Sequence, residues 1–146
     1  MKRASSDLLL LDVNVLLAVA WPNHQFHAKA TAALAHPNRW ATCALTQLGF
    51  IRLSSNPAVV GTAKTPHEAA DLLARLVADS LHVYVDSLPA PVSGDWRNAF
   101  ASILGHQQVT DAYLLRLAAV HHAVLVTFDR RLESVAGGSA RVTVLS

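Results

Sequence analysis

Two short runs of apolar residues, each followed closely by an acid, constrain this chain more than any other feature. Leu8-Leu9-Leu10-Leu11 ends in Asp12, and Ala123-Val124-Leu125-Val126-Thr127 leads into Phe128-Asp129. Neither run alternates apolar with polar residues, so neither offers a face to water. That pattern suits a strand inside a parallel sheet, covered on both sides. Parallel neighbours need crossover connections, and the stretches between the runs read as helices.

Residues 14–21 read as a short helix that stops at Pro22, and 24–36 as a second, Ala-rich one ending before Pro37. Residues 40–43 are a strand candidate. Residues 45–53 follow as a helix with an expected apolar face of Leu45, Leu48, Ile51 and Leu53. Residues 54–64, with Asn56-Pro57 and Gly61, read as a loop. Thr65-Pro66-His67-Glu68 has an N-cap, a proline at the first helical position and an acid in the first turn. The helix it opens carries Ala69, Leu72, Leu73, Leu76 and Val77 at helical spacing.

Residues 82–85 are a further strand, 86–94 a loop with Pro89 and Pro91, and 95–105 a helix. Thr110 is the expected N-cap of a helix through Val120. Residues 130–135 read as a short helix, 136–139 as a turn and 142–145 as a closing strand. Strands alternate with helices throughout, so the expected fold is an α/β sandwich with a mainly parallel central sheet. A length of 146 residues fits one domain. No repeat or linker divides it, so residues 1–146 are read as a single domain.

Composition narrows the function less. About half of the residues are hydrophobic, which suits a buried core. The formal charge of +2 permits a nucleic-acid partner without requiring one. Cys43 is the single cysteine. It lies in an apolar stretch and reads as a small buried hydrophobe in a reducing, cytoplasmic protein. The start of the chain is a poor signal peptide, and its apolar run is far too short to span a bilayer. No membrane partner is expected.

Of the ten acids, Glu68, Asp71 and Asp79 read as the solvated face of one helix, and Glu133 lies on the short terminal helix. Asp7 precedes the first strand, and Asp86 and Asp95 flank a loop. Asp12, Asp111 and Asp129 differ. Two follow apolar strands and the third sits in the first turn of a helix. In a parallel α/β sheet, ligands bind at the carboxyl ends of strands, so the three converge if that helix follows a strand. Taken singly, Asp111 reads as a helix-dipole residue and Asp129 as a turn residue. Asp12, directly after four leucines, is expensive to bury without a partner. Clustered carboxylates repel, and a hard divalent cation, Mg²⁺ or Mn²⁺, relieves the repulsion. Such ions can clamp a phosphodiester. A Gly-rich phosphate loop is absent from the sequence.

Four blocks then match one family. Leu10-Leu11-Asp12-Val13-Asn14-Val15-Leu16-Leu17 resembles the opening of a PIN domain. Thr46-Gln47-Leu48-Gly49-Phe50-Ile51-Arg52-Leu53 resembles its second motif, and His106-Gln107-Gln108-Val109-Thr110-Asp111-Ala112-Tyr113-Leu114 its third. Leu125-Val126-Thr127-Phe128-Asp129-Arg130-Arg131-Leu132 resembles the fourth. Order and spacing match from end to end, including Ala20-Trp21-Pro22-Asn23-His24, and the nearest subgroup resembles the VapC toxins of actinobacteria.

The resemblance implies a three-layer α/β/α sandwich and a Mg²⁺- or Mn²⁺-dependent endoribonuclease. It also implies a homodimer and a VapB-like antitoxin whose C-terminal segment occupies the active site. Asp12, Asp111 and Asp129 match the family's acidic, metal-holding positions, and Asn14 and Thr127 match polar positions beside the metal. Where the second motif usually carries Glu, this chain has Gln47, which offers a carbonyl oxygen but no charge. Three readings stay open: three acids suffice with Gln47 positioning water or substrate, another acid such as Asp95 helps, or the nuclease is weak or inactive.

Arg52, Arg130 and Arg131 are the candidates for RNA backbone contact, whereas Arg116 points partly away from Asp111. His24 and His27 lack the further ligands of a zinc site, and Trp21, Trp40 and Trp96 read as core or interface. A receiver-type phosphoacceptor would need a late lysine, and the last here is Lys64. A haloacid-dehalogenase-like phosphatase would need an acid where Asn14 stands. The stronger rival is a catalytically inactive PIN domain that binds RNA or protein.

Overall fold

The four leucines of the first strand divide their side chains between two cores. A computed structural model describes residues 7–35, 38–85, 88, 90, 92, 105, 108–136 and 140–146. In it, β1 (Leu8–Leu11) is buried along its whole length. Successive side chains of a strand point to opposite faces. Leu8 and Leu10 accordingly enter one cluster, with Leu114, Leu115, Leu117, Ala118 and Leu132. Leu9 and Leu11 enter the other, with Val15, Leu16, Trp40, Phe50 and Leu73.

Five parallel strands make the sheet: β1, β2 (Trp40–Thr42), β3 (His82–Tyr84), β4 (Ala123–Thr127) and β5 (Arg141–Val144), in the order β3-β2-β1-β4-β5. Seven helices are seen among the described residues. They are α1 (Val13–Ala20), α2 (His27–Ala33), α3 (Ala44–Ser54), α4 (Pro57–Val60), α5 (Pro66–Val77), α6 (Val109–Val120) and α7 (Arg131–Ala136). Residues of α1, α2, α3 and α5 fill one core, and residues of α6 and α7 fill the other. The result is the expected three-layer α/β/α sandwich. No helix among the described residues is long and apolar enough to cross a membrane.

Several expectations change. The first helix begins at Val13, because the Asp12 side chain accepts the Val13 N–H and caps it. The second is shorter than expected, since Trp21 to Phe26 is held in turns by bonds such as His24 N–H to Trp21 O. Within the stretch read as a loop, Asn56 caps the single turn of α4. Asp79 lies past the end of α5 and accepts the Trp40 indole N–H at 2.9 Å. Thr110 is no N-cap, because α6 already starts at Val109. The Thr65–Glu68 capping box is present, with reciprocal bonds of 3.1 and 2.8 Å.

The apolar face expected on α3 holds in part: Ile51 and Leu53 pack against the core, but Leu45 and Leu48 do not. Leu48 is 66% exposed and Leu45 is 37% exposed, while Thr46, Phe50 and Ser54 are buried. These three recur every fourth residue and so share a stripe. Gly49 lies beside that stripe, where a Cβ would stand 2.9 Å from a Val13 methyl carbon. The lack of a side chain there lets α3 approach α1, and the approach sets which face turns inward. Thr46 tolerates burial because its hydroxyl bonds the Cys43 backbone N–H and carbonyl, each at 3.1 Å.

Cys43 itself is buried, as is Trp40, while Trp21 packs against the core from a half-buried position. The expected loop over 86–94, helix over 95–105 and turn over 136–139 fall wholly or largely outside the described residues, as does Trp96.

Candidate active site

The strand order reverses between β1 and β4. The chain runs from β1 outward to β2 and β3, then returns to the other side of β1. At such a switch point the segments leaving two adjacent strands diverge and open a crevice at their carboxyl ends. Asp12 leaves β1 there, and Thr127 ends β4 beside it.

Asp12 still belongs to the ladder, since its N–H donates to Val126 O at 2.9 Å. Its side chain then turns back. Oδ1 accepts the Val13 N–H at 2.8 Å, and Oδ2 accepts the Thr127 hydroxyl at 2.7 Å. With 7% exposure the carboxylate is effectively buried. Burial pushes its pKa up, and the nearby Asp129 charge adds to that. The bonds from Thr127 and Val13 pull it down, but burial wins. Thr127 is fully buried, and its oxygen also accepts the Asp129 N–H at 3.0 Å. One hydroxyl thus ties two acids together.

Asp111 reaches the same place from the first turn of α6. Its pKa is raised to about 6, first by burial and then by the charges of Asp12 and Asp129. The charges of all three carboxylates are therefore coupled. Asp129 moves the other way. Arg131 grips it with Nε at 3.0 and 3.2 Å and Nη2 at 2.7 Å, and the Arg131 backbone N–H adds a bond of 2.9 Å. This guanidinium holds the Asp129 carboxyl below its ordinary range. Arg131, expected from the sequence at the site rim as an RNA contact, is exposed and pairs with Asp129.

The other candidates are distributed differently. Asn14 is exposed on the first turn of α1. Gln47 is half-buried, and its Nε2 donates to the Thr42 hydroxyl at 3.0 Å. Thr42, fully buried at the end of β2, is in turn 2.7 Å from His82 Nε2. Burial lowers the His82 pKa, against an opposing pull from Asp79. The Thr42 hydroxyl thus links Gln47 to His82. Arg52 occupies the last turn of α3, about 12 Å of helix rise from Ala44. Arg130 is exposed directly beside Asp129.

Thr42 and His82 were missed in the sequence, although Thr42 ends its strand as Thr127 does. Asp95, the suggested additional acid, lies outside the described residues.

Among the described residues, no three Asp, Glu, His or Cys side chains stand close enough to ligate one ion as they are. The donor chemistry nevertheless fits a hard divalent cation. The acids are oxygen donors, and burial first, then the neighbouring carboxylates, raises Asp12 and Asp111. Asp12 is bonded to Thr127 and Asp129 to Arg131.

Residues 9–138 match the family described as the PIN domain. The chain belongs to the PIN-domain family. As a PIN domain it resembles the VapC group. It is 40% identical over 139 residues to Ribonuclease VapC39 of Mycobacterium tuberculosis, covering 91% of this chain and 97% of that protein. It is 41% identical over 128 residues to Ribonuclease VapC38 of the same organism, covering 84% and 85%. Among solved structures, the PIN fold is shared with a chain of VapBC2 from Rickettsia felis bound to a promoter DNA fragment. The TM-score is 0.64 at 14% identity, covering 95% of this chain and 99% of that one. A chain of DNA-bound VapBC from Salmonella typhimurium gives a TM-score of 0.60 at 15% identity, covering 94% and 98%.

Proposed function

We propose that this PIN domain is a VapC-like toxin: an endoribonuclease that hydrolyses RNA phosphodiester bonds with Mg²⁺ or Mn²⁺ and is neutralised by a VapB-like antitoxin. The observation that carries this is the joining of Asp12 and Asp129 through the Thr127 hydroxyl at the switch point of the sheet, with Asp111 coupled to both. The names of the relatives, ribonucleases VapC39 and VapC38, support the substrate class. The VapBC titles of the structural neighbours support the antitoxin. We extend the reading to one domain over residues 1–146, acting in the cytoplasm as a homodimer.

Asp12, Asp111 and Asp129 would hold the ion. Its contribution, when bound, is positive charge that offsets the phosphate and the charge developing in the transition state. Thr127 orients Asp12 through its hydroxyl and keeps the oxygen aligned for an ion. Asn14, exposed two residues beyond Asp12, would serve as a polar residue beside the ion. Gln47 acts through Thr42 as a positioning residue. Arg130, exposed beside Asp129, supplies a phosphate contact.

The rival reading, a PIN domain that binds without cutting, draws support from Gln47, whose amide bonds Thr42 and brings no charge to the acids. Incubating a mixed cellular RNA pool with the antitoxin-free protein in Mg²⁺, Mn²⁺ or EDTA separates the two. Cleavage that needs the ion and disappears in Asp12→Ala is the expected result. A folded protein that binds RNA equally well in EDTA and never cuts it would establish the binding module.

A further inference from the structure

Asp129 differs from Asp12 in the kind of partner that satisfies it. The oxygens of Asp12 are met by a backbone N–H and a fully buried hydroxyl, neither of which can leave without disrupting the fold. Those of Asp129 are met chiefly by the Arg131 side chain, through contacts of 3.0, 3.2 and 2.7 Å. Both oxygens are engaged in a charge-assisted, two-pronged pairing. The Arg131 side chain is 62% exposed, so it has open solvent to move into. The backbone bond from Arg131 N–H to Oδ1, at 2.9 Å, is independent of the guanidinium and keeps the carboxylate at the start of α7 when the side chain leaves.

We propose that Arg131 is a built-in counter-ion that occupies Asp129 in the ion-free protein, so that divalent-ion loading requires the guanidinium to release the carboxylate. This rests on the metal-dependent reading above and adds a residue that sets ion affinity. Carboxylates that are electrostatically coupled without an ion repel, and a guanidinium on one of them partly neutralises the group. An incoming ion needs the same oxygens. A cation on a flexible stem, two residues along the chain and largely in water, is the partner that an ion displaces most readily. Arg131 therefore opposes the ion at Asp129, and its removal strengthens ion binding.

The test is Mn²⁺ binding by calorimetry to the metal-free, full-length protein without RNA, comparing wild type, Arg131→Ala and Arg130→Ala. The Arg130 variant removes an equal charge from the same surface and corrects for general electrostatics. Arg131→Ala is expected to bind Mn²⁺ at least about threefold more tightly than Arg130→Ala, as suits loss of an exposed but bidentate pair. Equal or weaker binding overturns the proposal and leaves the metal-dependent reading intact. If no variant binds Mn²⁺, the metal-dependent reading falls and the proposal with it.

A second measurement follows the Arg131 Nε–H signal by NMR during Mg²⁺ titration. The signal is expected to be sheltered from water exchange without the ion and to lose that shelter as the ion saturates. A signal that stays sheltered at saturation overturns the displacement.

Discussion

Replacing Asp111 by Asn removes a charge that the ion-free fold tolerates poorly and leaves the shape of the side chain unchanged. The Asp111 carboxyl is raised from 3.8 to about 6 in the folded protein. The open chain therefore ionises first as pH rises, and the folded state loses stability between about pH 4 and pH 6. Converted without discount, the shift corresponds to about 3 kcal/mol above pH 6. Solvent reaches this half-buried group and screens it, which brings the loss to about 1–2 kcal/mol.

The positive end of α6 works in the opposite direction, by about 0.5 kcal/mol, and is outweighed by burial and by two neighbouring carboxylates. Asp111→Asn is accordingly expected to stabilise the protein by about 1 kcal/mol at neutral pH in EDTA. The gain should shrink toward zero below about pH 4, where both folded and unfolded wild type carry a neutral carboxyl. Urea unfolding in EDTA, at neutral pH and near pH 4, checks this through the transition midpoint, which should move up by about 0.5 M at neutral pH. A variant no more stable than wild type at neutral pH, or equally stabilised at both pH values, would refute the claim that burial and the neighbouring acids raise Asp111.

Three further outcomes follow from the same geometry. Thr127→Val leaves a buried Asp12 oxygen and the Asp129 N–H without their shared hydroxyl. It should destabilise by about 2 kcal/mol in urea unfolding. It should also move the acidic limb of any cleavage pH profile upward, because the Thr127 bond lowers the Asp12 pKa; Thr127→Ser should restore both. Gly49→Ala brings a methyl to 2.9 Å from Val13. Val13 is stiff at χ1 and adjoins Asp12, so a net loss of about 1 kcal/mol is expected despite the better helix propensity of Ala; a thermal melt showing stabilisation would contradict it. Gln47→Glu removes the donor to Thr42, so the Thr42 hydroxyl turns to the new carboxylate and its contact with His82 Nε2 favours a protonated ring nitrogen. The His82 pKa should rise, as followed by NMR titration of its ring protons, and a constant value would show that the three side chains are not coupled.

Much of the architecture was legible in one dimension because it rests on local physics. Four leucines in a row have no polar face, so they demand cover on both sides, and that demand leads to a parallel sheet between two helical layers. The Thr65–Glu68 capping box was equally readable, since all of its partners lie within one turn. Asp12 stood out because a carboxylate adjoining buried leucines needs a reason to be there, and the four motif blocks pointed to the family. The inward face of α3 was only partly legible. Leu48 looked like core and is exposed, while Thr46 looked polar and is buried, because Gly49 lets α3 approach α1 along a different stripe.

The partners of the site residues divide in the same way. Sequence order alone put acids at strand ends, since a strand's end and the residue that follows it are properties of one segment. Only the tertiary structure decided which groups meet them. Thr127 bonds Asp12 across 115 positions of chain, and Gln47 bonds Thr42 rather than an acid. Even Arg131, two residues from Asp129, could not be assigned by proximity in sequence. Whether an arginine faces solvent or a neighbouring carboxylate depends on the direction in which β4 delivers the chain into α7 and on the charge already gathered there. Local patterning determines which segments form and which residues end them. Long-range packing determines which side chains share a crevice, because it alone sets the distances over which charges and hydrogen bonds act.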